Sequence, residues 1–109
     1  MITQAKQKLY EKQAEVVKGF AHALRIAILD FVKDGEKCVC DIAEQVGAEQ
    51  SNVSRHLALI VSSGVLVSRK EVLKVLYRLK TPCVLEFLGC VNRCLLEQAQ
   101  EHEHILKQL

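Results

Sequence analysis

Tryptophan is absent from this 109-residue chain, and only three Phe and two Tyr supply aromatic rings. Its core must therefore come from aliphatic side chains, which suits packed helices. A single proline, Pro82, and five glycines punctuate it, and neither a repeat nor a low-complexity linker divides it. That length leaves room for one domain, residues 1–109, around one core. Missing too is any apolar run near the ~20 residues of a membrane-crossing helix. The opening MITQAKQKLYEKQ is polar and charged, unlike a secretory leader. These absences argue against a membrane partner and lead us to expect a cytoplasmic chain. In that reducing compartment, five cysteines speak for metal, redox chemistry or plain packing rather than structural disulfides. There is no phosphate-cradling glycine loop and no nucleophile elbow, and Asp30, Asp34 and Asp41 show no pairing suited to acid–base work. The chain does not read as an enzyme.

What is present is organised around Asp41–Gly64, DIAEQVGAEQSNVSRHLALIVSSG. Apolar Ile42, Ala43 and Val46 recur at helical spacing until Gly47 and Ala48 break the pattern. Val53, Leu57 and Ile60 then resume it at i, i+4 and i+7, which defines one buried face. The other face carries Gln50, Ser51, Asn52, Ser54, Arg55 and, at its edge, His56, with no acidic residue after Glu49. A merely solvated helix mixes Glu with Lys for i,i+4 pairing. Amide, hydroxyl and guanidinium groups at a helix's N-terminal half suit the base edges and phosphates of double-stranded DNA. Residues 40–64 thus read as a helix-turn-helix, with a recognition helix over about Gln50–Ser63.

Around this reader, a charged amphipathic helix is expected over about Gln4–Phe20, and a buried one over His22–Val32, stopped by Asp34-Gly35. After Gly64 the period changes to two, which predicts a hairpin of Val65–Lys70 and Lys74–Lys80. Pro82 sits where a final helix, Cys83 to about Leu106, begins. A helix-turn-helix followed by a basic hairpin (residues 65–80) is a winged helix-turn-helix: mostly α with a small β wing, in the order α-α-α-α-β-β-α. Residues 50–80 hold Arg55, Arg69, Lys70, Lys74, Arg78 and Lys80 against Glu71 alone, a balance of +5 in a chain whose net charge is +2. Such a confined basic patch is an electrostatic footprint for DNA, with Arg69, Lys70 and Lys74 as its wing contacts. The first and last helices (1–21 and 81–109) are not needed to build the reader. Their surplus apolar residues, Val84, Leu85, Phe87, Leu88, Val91, Leu95 and Leu96 on the last, predict a homodimer interface.

LRIAILDFV, CVCDIAEQVG, SNVSRHLALIVSSGVLVSRKE and VLYRL, in this order and spacing, resemble the ArsR/SmtB repressors across about residues 17–97. The resemblance implies a dimeric winged-helix repressor that leaves operator DNA when an inducer binds. It also implies that the Cys38-Val39-Cys40-Asp41 box binds arsenite, antimonite or a soft divalent ion such as Cd, Pb or Zn. Thiolates are soft ligands, and a helix start is expected to lower their pKa. At i, i+2, both thiols reach one ion only if the helix start is distorted. Trivalent arsenic wants three thiolates, so any further ligand must come from Cys83, Cys90 or Cys94.

Two departures from the family pattern concern structure. Glu49 replaces the small hydroxyl cap of the recognition helix. Glu71-Val72-Leu73 replaces a Glu-Gly wing tip, so a two-residue turn with positive φ is not expected. A third concerns a site that some relatives build between their final helices. The resemblance maps it onto Thr81-Pro82-Cys83 and Cys94-Leu95-Leu96-Glu97, where Cys83 and Cys94 stand for histidines and Thr81 cannot stand for an aspartate. Cys90 and Cys94 share a helix face, although helix geometry does not favour a relaxed disulfide between them. His102 and His104 read as a solvated surface, with Glu97 or Glu101 able to join them around a hard ion.

Other readings of the same residues stay open. The cysteines could be a redox or persulfide switch on the same DNA-binding module. They could also be inert, because a buried free thiol packs as a small hydrophobe, and the chain would then be an architectural DNA-binding module.

Overall fold

Helix α1 (Gln4–Lys18) opens the computed structural model, which describes all 109 residues, and Thr3 caps it by accepting a hydrogen bond from the Lys6 amide at 3.2 Å. It stops at Gly19, which lies so close to Ser63 that a Cβ there would collide with the serine side chain. His22 caps α2 (Ala23–Val32), its Nδ1 accepting from the Leu24 amide at 3.1 Å. Strand β1 (Lys37–Cys38) leads directly into α3 (Val39–Val46), and Gly47, in the left-handed region at φ 69°, ends that helix and turns the chain. Then come α4 (Gln50–Ser62), β2 (Leu66–Glu71), β3 (Lys74–Leu79) and α5 (Cys83–Leu106). The expected α2, α4, hairpin and α5 all form, with ends shifted by a residue or two.

Aliphatic side chains build nearly all of the core, as the missing tryptophan suggests. Ile28, Leu29 and Val32 from α2 meet Ile42 and Ala43 from α3 and Val53, Leu57 and Ile60 from α4, closed beneath by Val65 and Leu66. Only Phe20 and Val84 join it from beyond this block. Helix α1 buries no residue, and α5 buries Val84 alone. The radius of gyration, 17.5 Å, therefore exceeds the ~13 Å of a compact domain of this length.

Two sequence expectations need correction. The first is the element order, which is α-α-β-α-α-β-β-α. Lys37 and Cys38 pair antiparallel with Tyr77 and Leu76, making a three-stranded sheet in the order β1-β3-β2. Two residues carry no readable periodicity, and they become a strand because β3 offers a free edge. Lys37 is also anchored by its ammonium, 5.1 Å above the Phe31 ring.

The second correction concerns the wing tip. Glu71 pairs with Lys74, leaving a two-residue turn, Val72-Leu73, with Val72 at φ 50°. The right-handed twist of the strands selects primed turns. Burial of Leu66 with its half-buried partner Leu79 pins the register. Together they override valine's aversion to positive φ.

Glu49, as the sequence suggested, is a weak cap: it makes no side-chain hydrogen bond to the α4 amides. Glu49→Ser should raise stability by about 0.5–1 kcal/mol, read as a higher urea midpoint at fixed protein concentration. An unchanged midpoint would mean that water already satisfies those amides.

Candidate nucleic-acid interface and thiol site

The buried stripe of Val53, Leu57 and Ile60 fixes the rotation of α4, so Gln50, Ser51, Ser54 and Arg55 face solvent together and Asn52 lies half-buried beside them. Asn52 Oδ1 accepts from Arg55 Nη2 at 3.1 Å, which steadies the guanidinium on the exposed face. His56 lies on the flank. Its ring packs 4.7 Å from that of His22, and its Nδ1 accepts from Arg25 Nε at 3.2 Å. Arg25 in turn donates to the Lys18 carbonyl at 2.6 Å, so this cluster ties α4 to α2 and the end of α1. His56 thus positions the recognition helix from behind.

Burial, then the charges of His22, Arg25 and Arg55, hold the His56 pKa below its ordinary 6.5. The folded protein therefore resists a proton that the unfolded chain accepts, and stability falls as pH drops through 6.5. His56→Gln keeps an acceptor for Arg25 and should flatten that decline, measured as urea midpoints at pH 7.5 and 5.5. Equal declines in both proteins would assign the proton to another group.

The wing holds a further surprise. Arg69, expected on DNA, is clamped by Glu36 through two hydrogen bonds of 2.7 and 2.8 Å and pairs with Glu71 at 2.9 Å. Glu36 is correspondingly held below the ordinary carboxylate pKa, chiefly by its hydrogen bond from Arg69. Glu36 is 33 residues away in sequence, outside the segment whose charges suggested a free cation. Lys70, Lys74, Arg78 and Lys80 form none of the chain's ion pairs.

Cys38 is the N-cap of α3, with extended backbone at φ −83° and ψ 162°, whereas Cys40 is already helical. This change of conformation is the distortion that an i, i+2 pair needs, and it brings the two Sγ atoms to 2.7 Å. The separation exceeds the ~2.05 Å of a disulfide, and both thiols are free. With an Asp41 carboxylate oxygen they form the one cluster in the chain with three metal-ligating donors, all within 4.8 Å of one another. Cys38 is buried and Cys40 exposed. The expected lowering of thiol pKa fails at Cys38. The hydrogen bond with Cys40 raises it, the Asp41 amide only partly offsets this, and burial and the Asp41 charge raise it further. Cys83, Cys90 and Cys94 are exposed on α5 and take no part in the cluster. His102 and His104 are exposed near the end of α5 and form no such cluster either.

Residues 22–68 match the family model for bacterial regulatory proteins of the arsR family. The arsenical resistance operon repressor of Staphylococcus xylosus is 30% identical over 84 residues, covering 77% of this chain and 77% of that protein. The chain belongs to the arsR family. It is thus an ArsR-family transcriptional repressor, a DNA-binding regulator and not an enzyme. Solved structures agree with the winged fold. The homodimeric winged helix-turn-helix domain of a possible ArsR-family regulator from Mycobacterium bovis superposes with a TM-score of 0.76 at 28% identity, covering 92% of each chain. The AntR antimony-specific transcriptional repressor gives a TM-score of 0.69 at 28% identity, covering 93% of this chain and 88% of that one. No helix of this ArsR-family chain is long and apolar enough to cross a membrane. Sequence reasoning missed Arg25, His22 and Glu36 as positioning residues; each acts through a long-range contact that leaves no local signature.

Proposed function

We propose that this repressor acts in the cytoplasm as a homodimer joined through α1 and α5, and that a soft ion at Cys38 and Cys40 makes it release its operator. Gln50, Ser51, Asn52, Ser54 and Arg55 then read the major groove, while Lys70 and Lys74 hold phosphates. The observation that carries the inducer reading is the pair of sulfurs 2.7 Å apart at the start of α3. The names of the Staphylococcus repressor and of AntR support arsenite or antimonite as the ion, with cadmium, lead and zinc as further candidates. Two thiolates on one tetrahedral ion, with bonds of ~2.3 Å, stand about 3.8 Å apart. Cys38 and Cys40 thus lie close enough together to share one ion. Cys38 belongs to β1, paired with Leu76 of the wing, whereas Cys40 belongs to α3, which seats α4. An ion held by both thiolates therefore ties the wing to the helix that seats α4, and shifting one against the other would cost the DNA fit, which needs both at once. A third thiolate is proposed from Cys83, Cys90 or Cys94, which are all exposed. Because binding expels thiol protons, and that of Cys38 is held tightly, affinity for the ion rises with pH.

A second reading keeps the DNA chemistry and makes the thiols a redox or persulfide switch. Cys90 Sγ accepts a hydrogen bond from Arg93 Nη2 at 3.0 Å, a cationic contact suited to thiol reactivity. Anisotropy of a labelled operator duplex, titrated with arsenite, antimonite, cadmium, lead and zinc under full reduction, separates the two. Stoichiometric release by one of these supports the ion. Release by oxidant or polysulfide alone supports the switch.

A further inference from the structure

We propose that the wing tip is an apolar wedge: Leu73, backed by Val72, enters the minor groove of bound DNA and partly unstacks one base step. The two residues form the whole of the β2–β3 turn, so nothing projects beyond them. Val72 is 86% and Leu73 95% exposed, and no part of the chain covers either. Two large aliphatic side chains at the far end of a hairpin are costly in water. Val72 is also costly in conformation, since a β-branched residue at φ 50° is strained where Asn-Gly would turn the chain freely.

The surroundings identify the partner. Glu71 and Lys74 close the turn, and because Glu71 is already paired with Arg69, Lys70 and Lys74 leave the collar beneath the apolar tip net cationic. That collar matches a polyanion rather than an apolar protein surface. Val72 and Leu73 offer no hydrogen-bonding side chain, so they cannot read the donor and acceptor pattern of the major groove. What they offer DNA is volume. Aliphatic wedges inserted from the minor groove open a base step and bend the duplex toward the major groove. In a two-fold dimer, one such bend would lie on each side of the recognition helices. This role requires DNA binding but is independent of the thiol chemistry.

The test uses the reduced full-length protein and a duplex selected from a random pool by binding to it. Adenines are replaced one at a time by 2-aminopurine, and the ends carry a fluorescent donor and acceptor. Wild type should raise 2-aminopurine emission at a symmetric pair of steps and bring the ends closer. Leu73→Ala should abolish both signals and weaken binding by at least about tenfold, the change expected for one buried leucine. Its helix content should be unchanged, because the residue lies outside the core. Leu73→Phe, which can still wedge, should restore both signals. A straight duplex with silent 2-aminopurine throughout, or full bending by Leu73→Ala, would overturn the proposal.

Discussion

Serine at both Cys38 and Cys40 is expected to leave operator affinity within about twofold of wild type and to raise the arsenite needed for release by about 100-fold. The fold should survive. Serine is nearly the size of cysteine, and at the N-cap of α3 its hydroxyl is the better partner for the orphan amides. The ligand set would not survive, because a neutral hydroxyl is a poor donor to a soft ion. Each single variant should lose most of the response, since one thiolate cannot link β1 to α3 through the ion. Anisotropy or gel-shift titrations of the three variants beside wild type are the measurement. If the double variant leaves DNA at wild-type inducer concentrations, the cysteine pair is structural and the sensor lies in α5.

A charge in the stripe of α5 should have an effect of similar size by another route. Val84, Leu88, Val91 and Leu95 fall at i, i+4, i+7 and i+11, one continuous face. It starts against the core at Val84 and runs outward until Leu95 stands 57% exposed. Helix α1 adds Leu9, Val16 and Val17, all exposed. In the dimer we propose, a second copy of these helices covers both surfaces, and Leu95→Glu would bury an unpaired carboxylate there. The variant should sediment as a monomer at micromolar concentration. Because one recognition helix then replaces two linked ones, operator affinity should fall by roughly 10²–10⁴-fold. A variant that remains dimeric would move the interface elsewhere.

The parts of this protein legible in its sequence are those written as local period and punctuation. The i, i+4, i+7 spacing of Val53, Leu57 and Ile60, the break at Gly47 and the start after Pro82 determine α4, α3 and α5 almost to the residue. β1 was illegible because two residues cannot display a period, and their strand character belongs to the edge of β3. The Val72-Leu73 turn was illegible for the opposite reason: its residues argue against it, and the strand register imposes it. At the thiol site the residues could be named, but not the 2.7 Å approach, which depends on Cys38 staying extended while Cys40 turns helical. The clamp on Arg69 and the support behind His56 span 33 and 31 residues, so only the fold reveals them.

The Glu36–Arg69 clamp bears on how the repressor senses ionic strength. A cation that displaces condensed counterions from DNA contributes about 0.9 to the slope of log affinity against log salt. Arg69 enters the complex with its own carboxylate counterion attached, so it displaces few. Replacing both of its carboxylate partners, Glu36→Gln with Glu71→Gln, would free it, raising affinity at low salt and steepening the slope by about 0.9 per protomer, or about 1.8 for a dimer. An unaltered slope would mean that Arg69 never reaches a phosphate. By holding one cation per wing in reserve, the clamp would moderate the response of operator occupancy to salt.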